Sequence, residues 1–239
     1  MRSPLPLPHR STEPRAEESD APVRDGRDVR WEAHRTRRRR QLVEAALKAI
    51  RKHGAGVGMD EIAAEAGTSK TVLYRHLGDR AGLYRAVVAA VHETILADLA
   101  AAREGEGDVV GRIAAMVRAY LAMVERDPQI YRFVLTRPLE TTQGDPQDPV
   151  HQITDRIAAQ LTETLHEHLT ATEHPQADLL APVWGTGIVG MVQAAADHWL
   201  VAAEPDHPLG TDVVADAVVD LIRPALTTRP APTQGHSTR

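Results

Sequence analysis

Apolar positions recur every three or four residues along most of the chain and nowhere sustain the alternation of a strand. Met59, Ile62, Ala63 and Ala66 fall at i, i+3, i+4 and i+7, the stripe of a short helix whose Asp60, Glu61 and Glu65 point away. Gly67, just past the stripe, suits the left-handed backbone that ends a helix, and Ser69 stands where it can cap a second one beginning at about Lys70. In that second helix Val72, Leu73 and Leu77 make a packing face, which leaves Lys70, Thr71, Tyr74, Arg75 and His76 outward. Two short helices joined by a tight turn, the second faced with hydrogen-bond donors, have the shape and chemistry that a DNA major groove admits.

The same period places the other elements. Leu42, Val43, Ala46, Leu47 and Ile50 predict a helix from Thr36 to Gly54 that starts on Arg37, Arg38, Arg39 and Arg40. Cations are mildly unfavourable at a helix N-terminus, so a phosphate partner explains the run better than the dipole does; a localisation patch or a merely soluble face are the alternatives. Gly58 occupies the N-cap of the first short helix. Asp79 is placed to cap a long helix from Arg80 to Ala102, with Leu83, Val87, Val91, Ile95 and Leu99 on one side. Further stripes run through Val109, Ile113, Val117, Tyr120 and Val124, and through Ile130, Phe133 and Val134 after Asp127-Pro128. Others run from Val150 to Leu169, from Asp178 to Ala203, and from Thr211 through Val214, Val218, Leu221 and Ile222. The reading is an all-α chain of about nine helices. It divides into a disordered arm (1–33), a helix-turn-helix head (34–84), a helical body (85–227) and a disordered tail (228–239).

Charge sharpens this division. The chain of 239 residues has a net charge of −5, but from Arg30 to Ala90 there are 13 Lys and Arg against 6 Asp and Glu, and from Val91 onward 10 against 21. A basic head on an acidic body is the pattern expected when only one end meets a phosphate backbone. There is no cysteine, hence no disulfide framework or thiolate metal site, and the first thirty residues have no apolar run of the signal-peptide kind, so a cytoplasmic protein is the expectation.

Other chemistries find little support. Gly185-x-Gly187-x-x-Gly190 matches a dinucleotide fingerprint, but its flanks read as helical, where small residues instead let a second helix approach. Leu179 to Ala196 carries no charge over 18 residues, yet its Gly, Pro182, Thr186, Gln193 and Ala content suits a buried interface helix rather than a membrane span. Twelve His include no i, i+4 pair, no nucleophile elbow occurs, and no carboxylate pair assembles, so no metal, cofactor or catalytic residue is expected. Tyr120, Tyr131, Phe133, Trp184 and Trp199 read as core, with a ligand pocket as the second reading; Met116, Tyr120, Trp184 and Met191 are the candidates to line one cavity.

With these residues in view, IAAEAGTSKTVLYRHLGDRAGLYRAV, within Arg35 to about Val87, resembles the head of the tetracycline-repressor (TetR) family. The resemblance implies that the second helix of the motif enters the major groove, with Arg37, Ser69, Lys70, Thr71, Tyr74, Arg75, His76 and Arg80 on the DNA side. Arg80 stands where a phosphate-binding Lys is usual. Gly58 replaces a common Ser or Thr, Leu77 a common Phe, and Thr71-Val72 a small residue followed by Thr, so the operator sequence does not carry over from the family. Family dimers bury their last two helices as a four-helix bundle, here Asp178 to Ala203 with Thr211 to Leu226. GMVQAAADHWL is similar to members that sense lipids or acyl-CoA esters. The implied partners are a near-palindromic double-stranded operator, a second copy of the chain, and a small apolar or amphipathic effector that releases the DNA. An activator or ligand-independent regulator is the first alternative, and an all-helical enzyme docked on nucleic acid the second.

Overall fold

In the computed structural model, which describes residues 26–105, 107–136, 149–202 and 210–227, the apolar stripes fold into nine α-helices, and no strand occurs among the described residues. They are α1 (Gly26–His53), α2 (Met59–Glu65), α3 (Lys70–Leu77), α4 (Arg80–Arg103), α5 (Val109–Arg126), α6 (Pro128–Leu135), α7 (Pro149–Ala171), α8 (Ala177–Ala202) and α9 (Thr211–Thr227). Most of the arm expected before α1, and the whole of the tail, lie outside the described residues.

The first three helices pack on one another and on the start of α4. Leu42, Ile50, Ile62 and Leu73 are at most 1% exposed at their centre, and Leu77 is also buried. Gly67 ends α2 in the left-handed region, φ 58°, with its N–H on the Ala64 carbonyl and the Thr68 N–H on that of Ala63. Asp79 caps α4 by accepting from the Gly82 N–H at 2.7 Å. Gly82 itself is required by space, since a Cβ there would lie 2.0 Å from the Leu77 carbonyl oxygen.

α1 begins at Gly26, ten residues before the start expected at Thr36, so residues 26–33 are helix rather than arm. Residues 31–37 are exposed, Trp31 among them, so periodicity gave no sign of this extension; Arg, Glu and Ala are good helix formers that extend a helix already nucleated downstream.

In the body α5 is the central helix, packed by α4, α6, α7, α8 and α9, and is buried on more than one side: Ile113, Met116, Leu121 and Val124 are all at most 2% exposed. α8 lies most extensively along α7. Gly185 makes that approach possible, since a Cβ there would stand 2.5 Å from Thr162 Oγ1 and 3.1 Å from the Ala158 carbonyl oxygen. Gly187 and Gly190 meet nothing within 4 Å, so only one of the three glycines serves this contact. α8 is long and apolar enough to cross a membrane, but it packs through Ala181, Gly185, Ile188, Val189, Val192, Ala196 and Trp199 against its neighbours. In α9 the buried side is Ala215, Val218, Val219 and Leu226; Leu221, expected in the stripe, is 72% exposed.

Candidate nucleic-acid interface and body cavity

The α2–α3 turn leaves one side of α3 free. Ser69, Lys70, Thr71, Tyr74 and Arg75 are exposed, as is Arg80 on the next helix, and His76 is half-buried. Ser69 is the N-cap by backbone position, yet its hydroxyl makes no capping bond, which leaves it open to a partner. Lys70 is engaged: its ammonium lies 2.9 Å from Asp60 Oδ2 on α2. That hydrogen bond and the carboxylate's charge raise its pKa.

The start of α1 converges on the end of α3. Arg39 donates to the His76 carbonyl oxygen at 2.9 Å. Desolvation lowers the pKa of the His76 imidazole, and Arg75, Arg38, Arg35 and His34 lower it further, so this ring is neutral at pH 7 within a dense positive field. Arg37, the member of the arginine run singled out from the sequence, is exposed and takes part in none of these contacts. Its neighbours Arg38 and Arg39 face α3 instead; helical phase across the run, set by which residues meet α3, was the missing information.

Head and body are joined through α6. Arg51 of α1 grips Asp127, the N-cap of α6, with Nε on Oδ1 at 2.6 Å and Nη2 on Oδ2 at 3.2 Å. The guanidinium holds the Asp127 carboxyl below the usual carboxylate range against the opposing effect of burial. Gln129 Oε1 accepts from the Ala55 N–H at 3.3 Å. At the other end the Tyr84 hydroxyl of α4 donates to the Val134 carbonyl oxygen at 2.7 Å, and its ring meets Phe133. Between these ties, Tyr131 donates to Asp197 Oδ1 on α8 at 2.7 Å and packs edge-on to Tyr120 of α5.

Met116 and Tyr120 line a small apolar cavity in the body, about 30 Å³, with Leu99, Ile157, Leu161 and Val189 among the other walls. Tyr120 and Gln193 line it through apolar atoms only, and the Gln193 amide nitrogen donates away from it, to Thr154 Oγ1 at 3.2 Å. Burial pushes the Tyr120 phenol up to about 12, and that of Tyr131 higher still, so both are neutral hydroxyls. Trp184 and Met191 are elsewhere. They line a surface groove of about 410 Å³ between α8 and α9, with Val183, Gly187 and Leu221, so the four residues expected around one cavity divide into two pairs on different sides of α8. The reason is phase: Val189 and Val192 of α8 face the cavity, and Met191 between them is turned away. Among the described residues no group of three His, Asp or Glu could hold a metal ion.

Two family models match the chain. One described as bacterial regulatory proteins of the tetR family covers residues 42–87, and one described as the tetracyclin repressor-like C-terminal domain covers residues 98–237. An uncharacterized HTH-type transcriptional regulator of Mycobacterium tuberculosis is 32% identical over 203 residues, 84% of this chain and 82% of its own. The HTH-type transcriptional activator FasR of Mycolicibacterium smegmatis is 28% identical over 187 residues, 77% of this chain and 81% of its own. Among solved structures, that of AibR in complex with isovaleryl coenzyme A and operator DNA has the same fold, with a TM-score of 0.56 and 21% identity over 77% of this chain and 97% of its own. These matches are to transcriptional regulators rather than enzymes.

Proposed function

Since the chain belongs to the TetR family of transcriptional regulators, we propose that it is a homodimeric repressor, released from a near-palindromic operator by a small apolar or amphipathic molecule. The observation that carries this reading is α3 itself: a short helix locked onto α1, α2 and α4 by buried Leu73 and Leu77, with Thr71, Tyr74 and Arg75 outward and the arginines of α1 beside its end. A rigid head with a polar outer helix and a flanking positive field suits a base edge between two phosphate strands. In this assignment Thr71 reads bases, and Arg75, Arg80 and the α1 arginines hold phosphates.

An effector site fits the body. The cavity under Tyr120 holds little more than a water molecule as it stands, so a ligand must part α5, α7 and α8. Tyr131 would then feel the change first, and α6 connects it to both α1 and α4. The acyl-coenzyme A in the AibR complex supports a ligand of that class here. The second copy would cover the exposed apolar side of α8 and α9. Cytoplasmic placement is consistent with a soluble DNA-binding regulator.

A second reading, activation, is favoured by the likeness to FasR. Genome-wide selection of DNA with the purified protein should return one near-palindromic sequence, bound at twice the mass of the chain. Transcription from the adjoining promoter should rise when the gene is deleted; a fall would make the protein an activator, and a bound monomer would remove the dimer from the reading.

A further inference from the structure

The seam between α4 and α7 holds two polar atoms that are buried without a partner, His92 Nε2 on one helix and Gln160 Oε1 on the other. A buried polar atom without a partner is costly, so two of them on one seam call for a partner from outside the chain, water or ligand. The Gln160 amide nitrogen donates to the Leu96 carbonyl oxygen at 3.4 Å. That carbonyl has no proton to give, so the amide is oriented with its oxygen left as a free acceptor. Four residues earlier on α7, on the same side, stands Arg156, which is exposed and has no ion-pair partner among the described residues. Burial first, then Arg156, lower the pKa of His92, with the neighbouring Glu93 opposing; the ring is neutral, so one of its nitrogens is a donor and the other an acceptor.

The seam borders the cavity. Leu99 follows Leu96 by three residues on α4, Ile157 and Leu161 flank Gln160 on α7, and all three line the apolar space below. From inside outward the order is therefore an apolar cavity, an unpaired acceptor beside a neutral imidazole, and an uncompensated cation at the surface. A hydrocarbon tail fits the first, an N–H or O–H group the second, and an anion the third. Fatty acids have the tail and the anion but lack a donor when ionised. Acyl thioesters of a phosphopantetheine arm have all three, in that order.

We propose that the α4–α7 seam is the head-group site of the effector, in which Gln160 Oε1 and His92 hydrogen-bond the amide-bearing pantetheine arm of an acyl thioester and Arg156 pairs with its phosphate. The assignment rests on the reading of the body as an effector-binding domain. It makes these three residues determinants of ligand class, while the cavity walls select chain length.

The test is binding of three probes with one palmitoyl chain to the full-length protein: palmitoyl-CoA, palmitoyl-pantetheine without phosphate, and palmitate. Arg156→Ala should weaken palmitoyl-CoA on the order of threefold to tenfold, bringing it to the level of palmitoyl-pantetheine, and leave that probe unchanged. Gln160→Leu should weaken both thioesters and spare palmitate. Leu161→Phe, which fills the cavity, should weaken all three, and melting temperatures establish that each variant is folded. If Leu161→Phe abolishes binding while Arg156→Ala and Gln160→Leu bind every probe as the parent does, the body binds an effector but the seam is not its head-group site. Should the parent bind none of the three, the acyl-ligand reading and this proposal fall together.

Discussion

Lys70 and Arg80 are both exposed cations next to the outer side of α3, but they start from different electrostatic positions. Lys70 already has a carboxylate partner in Asp60, and a DNA phosphate would have to compete with it; Arg80 has no ion-pair partner among the described residues. Replacing Arg80 with Ala should therefore weaken all DNA sequences alike and flatten the dependence of log K on log salt by about one unit. Asp60→Asn should do the reverse, tightening binding by releasing Lys70 and removing a negative charge from the DNA side. Thr71→Ala should instead change the ranking of sites, because a hydroxyl and a methyl that touch base edges carry sequence information that a phosphate contact does not. Titrations of the selected operator and of scrambled DNA at several salt concentrations separate these outcomes; equal loss of discrimination from Arg80→Ala and Thr71→Ala would mean that the roles are misassigned. Which residues face outward on α3 was legible from its period. The Lys70–Asp60 pair was not, because it closes across a turn between residues on two helices.

At the scale of the element, α6 shows what periodicity conveys and what it omits. Asp127-Pro128 and the apolar Ile130, Phe133 and Val134 marked a short helix, and it is there. Nothing in those eight residues announces that they tie α1, α4 and α8 together, since Arg51, Tyr84 and Asp197 lie 76, 50 and 66 residues away along the chain. Asp127→Asn tests the tie to the head. The Asp127 pKa is lowered in the folded state, so its contribution is complete above the unfolded value near 3.8 and is lost as pH falls through the folded one. Arg51 stays protonated throughout that range. With the Arg51 side chain half exposed, the pair should contribute about 1 kcal/mol at pH 7. Urea unfolding at pH 7 should show that deficit in the variant, and the two proteins should converge once the pH is taken below the folded pKa. A deficit independent of pH would point to lost packing rather than to the charge.

For the molecule as a whole, the stripes identified the helices but not how their sides are shared among partners, which is why Trp184 and Met191 were grouped with Met116 and Tyr120. Helices that meet neighbours on two sides carry apolar residues on both, and periodicity alone does not say which neighbour lies within the chain. The structure divides them: the Val189 side of α8 turns to the cavity, while Leu179 and Val183 of α8 and Val213 and Leu221 of α9 are each more than half exposed. Val183 and Leu221 border a groove of about 410 Å³, and with Leu179 and Val213 they make the apolar surface that a two-fold copy would cover with the same surface of its own. In the proposed regulator this surface would also link assembly to ligand response. In the proposed dimer two α3 helices would sit about one turn of DNA apart, ~34 Å, and a ligand that altered their spacing would weaken both half-sites together. Reducing affinity 100-fold requires only about 2.7 kcal/mol of differential ligand binding. Leu221→Asp should expose the dependence directly. Leu221 is 72% exposed, so the substitution should change the stability of the isolated fold by no more than about 0.5 kcal/mol, yet it would bury an unpaired charge in the dimer. The expected result is a folded protein with the mass of one chain. Its operator affinity should be lower by about 10²–10⁴-fold, because each half-site is then bound without the effective concentration that the second head supplies. Retention of a dimer by Leu221→Asp with unchanged operator affinity would move the interface to another surface of the body.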